Sequence, residues 1–422
     1  MRKNTIAVSV FTMLALAASA AAPVELVSPT NGAIVAIVPD AQKKVIALPT
    51  LDARLKLFAD DKAHGKVLRH DNYWRKSKPL RLKWKVPGPG KWAAKIEIGK
   101  KPDLSDARVW YVRASKVDDA SGREKEGGGA NGGVNAYTLP RANLEIARRY
   151  YWRVTLRNRC KKFNCGPKCD CKESKTVQSS AVGTFLTEDL GPRWIEIEGR
   201  TGNFRDLGGW RTRDGRRVRQ GMVFRSAGLN DNSATGEAQG RNRLMVEDVK
   251  YMTGTLGIRS DLDLRSSSET ADLAESPLGA GVKFVRHSST CYDAIFRENG
   301  KKTMAENFRF LCDRRNYPVI VHCIGGADRT GSLCYVLNGV LGVDRHDLEV
   351  DWESTFYPKI PDRNPDPNFW CRESHFNDGF SKYGKDGDSW NRRIELYLLD
   401  CGVTESEIAT FRDIMLEPAE GM

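Results

Sequence analysis

After its first 22 residues the chain has no run of ~18 uninterrupted apolar residues, so no later segment is long enough to cross a bilayer as a helix. No cysteine follows the apolar start, so a lipid-anchored N-terminus is not indicated. Disorder is not indicated either, because 40% hydrophobic and 29% charged residues are ordinary for globular protein. A strong zinc spacing is also missing: Cys160, Cys165, Cys169 and Cys171 are separated by four, three and one residues.

What is present at the start is a leader pattern. Arg2 and Lys3 precede an almost wholly apolar Ile6–Ala18, and Ala18-Ser19-Ala20 gives a small-x-small site. Residues 1–20 are expected to be a cleaved secretory signal and the protein to be exported, periplasmic or secreted. A membrane anchor is the alternative, disfavoured by the short run. Export favours one or two disulfides in the Cys160–Cys171 cluster, with a small metal knot as the other reading.

Charge splits the chain. The formal net charge is +13, but residues 24–187 carry +17 and residues 188–422 carry −6. A change of sign across 422 residues supports two domains. The basic part could meet anionic surfaces. Its Lys and Arg alternate with apolar residues as on a solvated strand face, and export argues against nucleic acid.

Residues 24–187 read as all-β. Leu80–Val86, Lys95–Ile98 and Tyr150–Leu156 alternate or are rich in aromatic and β-branched residues. Pro87–Gly90 reads as a turn and Gly127–Gly133 as a flexible loop. Beyond a connector at 188–200, strands at Gly257–Leu264, Val282–Val285 and Pro318–His322 alternate with helices at Thr303–Arg314, Gly331–Leu341 and Ser389–Asp400. This is an α/β pattern, and the apolar Pro318–Val321 run marks a strand buried on both faces. Pro358–Pro367 and Gly384–Asp388 read as surface loops.

The chemistry lies after that strand, in His322-Cys323-Ile324-Gly325-Gly326-Ala327-Asp328-Arg329-Thr330-Gly331. A glycine-containing loop at a helix N-terminus converges unpaired N–H groups on an anion, and the same field favours a thiolate at Cys323. Arg329 stands six residues later, where its planar fork can take two phosphate oxygens. Gly325 and Gly326 let the backbone curl round an oxyanion, with Ile324 and Ala327 completing the cradle. Thr330 can donate its hydroxyl to the departing sulfur.

Cys-x5-Arg-Thr on a strand, loop and helix resembles the signature of the protein tyrosine phosphatase superfamily. Gly202–Gly209 (Gly-Asn-Phe-Arg-Asp-Leu-Gly-Gly), Phe224-Arg225-Ser226-Ala227 and Asp263-Leu264-Arg265-Ser266 with Glu269 resemble, in order, blocks of the atypical bacterial tyrosine phosphatases. The resemblance covers about residues 195–415. It implies an α/β fold with a mostly parallel central sheet, a phosphocysteine intermediate, and no metal or other cofactor. The substrate implied is a phosphorylated protein or small phosphoester. The family's Gly-Lys-Asp-Arg is here Gly326-Ala327-Asp328-Arg329, which counts against highly anionic phosphoinositides. The preceding 24–187 resembles a fibronectin type III-like β-sandwich, through Ser28-Pro29, Trp84, Tyr151-Trp152-Arg153-Val154 and Gly183-Thr184-Phe185.

Roles around the loop are expectations. The general acid is Asp328, as the resemblance implies, or Asp293, thirty residues before Cys323. Asp263 is expected to hold the loop or Arg329. His322 is expected to accept loop hydrogen bonds. Arg205 and Asp206 either border the pocket or pair internally. His287 and His375 lack ligand spacing. Two other functions stay open: an inositol phosphate phosphatase, or a surface-binding protein with a weakly active phosphatase domain.

Overall fold

The computed structural model describes residues 24–50, 52–54, 56–57, 77–86, 92–112, 118–119, 134–157, 176–199, 201–230, 244–270, 273–356 and 373–418. The leader, Pro87–Gly90, Gly127–Gly133, Cys160–Cys171 and Pro358–Pro367 lie outside them. The chain divides into two compact units. One comprises residues 1–31, 81–137 and 151–184; the other comprises 32–80, 138–150 and 185–422.

The first unit is built of antiparallel strand pairs. Glu25–Ser28 pairs with Arg81–Lys85, and Asp118–Asp119 with Val134–Thr138. Ala93–Gly99 lies between Arg108–Val112 and Arg149–Arg157. Leu82 and Trp84 are buried while Lys83 and Lys85 are not, so the alternation of apolar and basic residues does orient one face inward.

The second unit contains the stretch that carries the motifs. Its sheet runs β1 (Arg205–Asp206), β2 (Val223–Ser226), β5 (Val319–His322), β3 (Ser260–Asp263) and β4 (Lys283–Arg286). All the pairings are parallel except β1 with β2. β5 is central and buried at every residue, as its unbroken apolar run predicts. Ile195, Phe204, Phe224, Met252, Ile258 and Ile320 belong to one hydrophobic core cluster. The described helices around it include α1 (Glu298–Leu311), α2 (Arg329–Val340), α3 (Arg345–Glu353), α4 (Glu373–Phe380), α5 (Trp390–Asp400) and α6 (Glu405–Met415). Helix α2 is buried from Thr330 to Val340, so its apolar character all round suits a central element. α6 opens on a capping box between Thr404 and Glu407.

Two stretches before residue 187 pack with this unit. Asn143 Nδ2 donates to the Glu196 carbonyl at 3.0 Å, and Arg193 Nε to the Leu144 carbonyl at 3.1 Å. Trp194 Nε1 donates to Gln42 Oε1 at 3.1 Å. Arg54, wholly buried, donates to both Glu353 oxygens at 2.7 and 3.1 Å, to Glu349 at 2.9 Å and to the Leu48 carbonyl at 3.1 Å. A buried guanidinium needs that many acceptors, and they all come from outside the continuous stretch that carries the motifs or from α3.

Candidate active site

The strand, loop and helix place Cys323 immediately after β5 and Asp328 at the N-cap of α2. Cys323 is 1% exposed. The loop between them is held by close packing. Gly326 has φ +65°, and a Cβ there would lie 2.3 Å from the Ser226 carbonyl oxygen, so only glycine fits. The Gly228 N–H donates to the Ile324 carbonyl at 3.0 Å. The Gly326 carbonyl accepts from Asn203 Nδ2 at 2.7 Å and Arg225 Nη2 at 2.9 Å. Gly325 is half-buried, Ala327 is buried, and Ile324 is 40% exposed, the exposed large apolar side chain of the loop.

Arg329 is fixed by Glu269. Nη1 and Nη2 donate to Oε2 and Oε1 at 2.7 and 2.8 Å, a two-pronged charge-assisted pair. Glu269 also accepts from the Ser266 N–H at 2.8 Å and hydroxyl at 3.0 Å. The Arg329 bond, against the opposing cost of burial, holds the Glu269 carboxyl down to about 2. Burial disfavours the Arg329 charge, but Glu269 outweighs it and the guanidinium is held above its ordinary value.

Asp263 has different partners from those expected. It accepts from Arg265 Nε at 2.9 Å and Nη2 at 2.8 Å, and from the Arg265 N–H at 3.0 Å. The described contacts thus give Arg329 to Glu269 and Arg265 to Asp263. His322 departs from expectation too. Its Nε2 is 2.8 Å from Asp261 Oδ1 and its Nδ1 is 3.7 Å from Asp263 Oδ1. Burial disfavours its charged form, but the two carboxylates outweigh burial and raise it above the usual imidazole value.

The two candidate acids are placed differently. Asp328 is half-buried, and its carboxylate accepts the phenol hydroxyl of Tyr292. The Tyr292 N–H donates to Ser332 Oγ at 3.1 Å, and its ring meets Trp352 edge-on at 6.0 Å. Asp293 is 53% exposed and pairs with Arg297 at 2.8 Å. The segment ahead of the loop does therefore reach it, but through Tyr292. Thr330 Oγ1 is buried without a hydrogen-bond partner. The hydroxyl expected to donate to the Cys323 sulfur therefore makes no such bond in this structure.

Arg205 and Asp206 both pair internally. Arg205 Nε donates to Asp351 Oδ1 at 3.0 Å, while Asp206 pairs with Arg193 at 2.7 Å. Of the two alternatives left open, internal pairing is thus the one seen, each with a partner outside its own motif. Glu269, Tyr292, Asn203, Arg225 and Asp351 are neighbours of the loop that no role was assigned to from sequence. The first, third and fourth stand inside the matching blocks, which was their available signal. No group of His, Cys, Asp and Glu able to hold a metal occurs among the described residues. Cys312, Cys323, Cys334 and Cys401 are free thiols.

Known proteins resemble this unit. Residues 195–364 match the model of a tyrosine phosphatase family. A Cupriavidus necator protein provisionally named a tyrosine-protein phosphatase is 29% identical over 174 residues, 36% of this chain and 59% of that protein. The core catalytic domain of the PP-IP phosphatase SIW14 from S. cerevisiae, solved with citrate, matches at 14% identity and a TM-score of 0.26, over 42% of this chain and 91% of that one. Cys323, Arg329 and Glu269 all fall within 195–364, the stretch that is similar to the tyrosine phosphatase family, and the chain spans less than two thirds of the length of the Cupriavidus protein it matches.

Proposed function

We propose that the protein is an exported phosphatase that hydrolyses phosphotyrosine or related phosphomonoesters through a phosphocysteine. The observation that carries this is a buried Cys323 under a glycine-bearing loop, with Arg329 fixed by the Glu269 fork six residues on. Loop amides and Arg329 bind the phosphoryl oxygens and the charge that spreads over them in the transition state. Cys323 Sγ attacks phosphorus; the S–P bond forms as the ester P–O bond breaks. Asp328 gives its proton to the leaving oxygen. Water then attacks phosphorus, its proton passes to Asp328, and the thiolate departs with help from the Thr330 hydroxyl. The sum is ester plus water giving alcohol plus phosphate.

Two features support an aryl ester over a highly phosphorylated one. Ile324 offers an apolar surface beside the nucleophile, and Ala327 brings no cation to the rim. Export rests on the leader pattern of residues 1–20, and the first unit is read as an accessory β-sandwich of fibronectin type III-like form.

Purified full-length protein should hydrolyse p-nitrophenyl phosphate in the presence of a reductant. Cys323→Ser should abolish turnover; activity surviving that change would sink the cysteine mechanism. A panel of phosphotyrosine peptides and inositol hexakisphosphate reads the substrate class. Preference for the inositol ester would overturn the aryl assignment.

A further inference from the structure

We propose that Asp351, on α3 and remote in sequence from the loop, is a positioning residue that shapes the phosphate-binding loop by holding two buried arginines against it. The proposal rests on the phosphatase reading of the Cys323 loop. Arg205 and Arg225 are direct partners across the β1–β2 pair, and both are fully buried. Two such cations side by side repel in a medium that screens poorly. The Asp351 carboxylate divides between them: Oδ1 takes Arg205 Nε at 3.0 Å and Oδ2 takes Arg225 Nη1 at 2.6 Å. Its carbonyl accepts Arg205 Nη2 at 2.7 Å.

That arrangement leaves Arg225 Nη2 to reach the Gly326 carbonyl at 2.9 Å. Arg205 Nη1 in turn donates to the Asn203 side-chain oxygen, which turns Asn203 Nδ2 towards the same carbonyl at 2.7 Å. Asn203 has φ +59°, a conformation asparagine tolerates. In a planar trans peptide the carbonyl and the following N–H point opposite ways. Drawing the Gly326 oxygen back with two donors therefore drives the Ala327 N–H in the other direction, where an oxyanion above Cys323 would need it. Asp351 meanwhile offsets only one of the two positive charges, so the base of the loop keeps a formal excess of one. Burial disfavours the Asp351 anion, yet the two arginines outweigh burial and keep it below the usual carboxylate range.

Tungstate, a tetrahedral oxyanion that needs no turnover, tests this by calorimetry on the full chain. Asp351→Asn removes the charge but leaves two buried cations under-compensated and is prone to misfold. Two gentler variants keep the proposal falsifiable. Arg225→Lys keeps the charge but cannot serve Asp351 and Gly326 together. Asn203→Asp replaces the donor to Gly326 by an acceptor and keeps the shape. Each should weaken tungstate binding by about tenfold, the loss of one well-made hydrogen bond to a charged group's cradle, with Cys323 alkylation by iodoacetamide at pH 6 slowed several-fold. Unchanged affinity in either folded variant would overturn the proposal. So would a wild-type protein that binds no tungstate, or variants that fail only by unfolding, which would assign the network to stability alone. A wild-type protein that binds tungstate but cleaves no phosphoester would instead count against the proposed activity.

Discussion

Glu269→Gln isolates the fork that holds Arg329. Gln offers one carbonyl oxygen where Glu269 offers two, at 2.7 and 2.8 Å, so one hydrogen bond is lost and the survivor loses its charge. A charge-assisted bond contributes ~1.5–3 kcal/mol. Both side chains are partly exposed, so screening places the loss near the lower bound, about 1.5 kcal/mol. Arg329 then samples orientations in which it cannot bridge two phosphoryl oxygens. The expected result is a roughly tenfold fall in kcat/KM on p-nitrophenyl phosphate, carried mainly by kcat. Folding should lose no more than that same ~1.5 kcal/mol, read as the unfolding free energy extrapolated from urea melts. The acid dependence follows by sign: the carboxyl is held down to about 2, so its contribution is present above the unfolded value of ~4.3 and is lost only as pH falls through about 2. Activity lost between pH 6 and 4 therefore belongs to other groups. An unchanged kcat/KM, or a rise in KM alone, would refute the positional role of Glu269.

Asp328→Asn should lower kcat by roughly a hundredfold or more on substrates with poor leaving groups, while Asp293→Asn stays near wild type; the reverse pattern would move the acid to Asp293. Gly326→Ala forces a Cβ to 2.3 Å from the Ser226 carbonyl oxygen at φ +65°, and should cost about 2–4 kcal/mol in chemical denaturation, with no loss expected only if the loop is not shaped as described. His322 is raised by Asp261 and Asp263, so its ionised form contributes stability below an unfolded value of ~6.5, and this is lost as pH rises through the higher folded value. The stability gap between wild type and His322→Gln should accordingly shrink from pH 5.5 to 8.5 in urea melts; a constant gap would show that the imidazolium is not the stabilising form.

Three of the five strands of the catalytic sheet were legible, best of all the apolar β5, expected at 318–322 and spanning Val319–His322, whereas the short, polar β1 and the mixed β2 were not read as strands. Helix α2 was expected at 331–341 and begins two residues earlier, since its N-cap Asp328 belongs to the loop. Helix α3 was not legible. Its buried residues include Asp351 and Glu353, so the apolar spacing that marks an inward face is broken by the carboxylates that serve Arg54, Arg205 and Arg225. The nucleophile and Arg329 stood out because their spacing is local. Their supports come from elsewhere in sequence: Glu269 lies 60 residues from Arg329, and Asp351 lies 126 from Arg225. Pairing across such distances leaves no periodic trace, and so the partners of Arg205 and Asp206, Asp351 and Arg193, could not be named from the sequence.

The burial of Arg54 has a consequence for the order in which the chain can fold. Its acceptors Glu349 and Glu353 lie 295 and 299 residues later, with the strands of the other unit between. At the ~5–20 residues per second of chain synthesis, the guanidinium waits roughly 15–60 s before those acceptors exist. Closure of so long a loop is entropically slow and the contact is among the least local in the fold. The intervening strands can pair among themselves in that interval. The catalytic unit, in contrast, is completed from both ends of the chain and so only after α3 has been made.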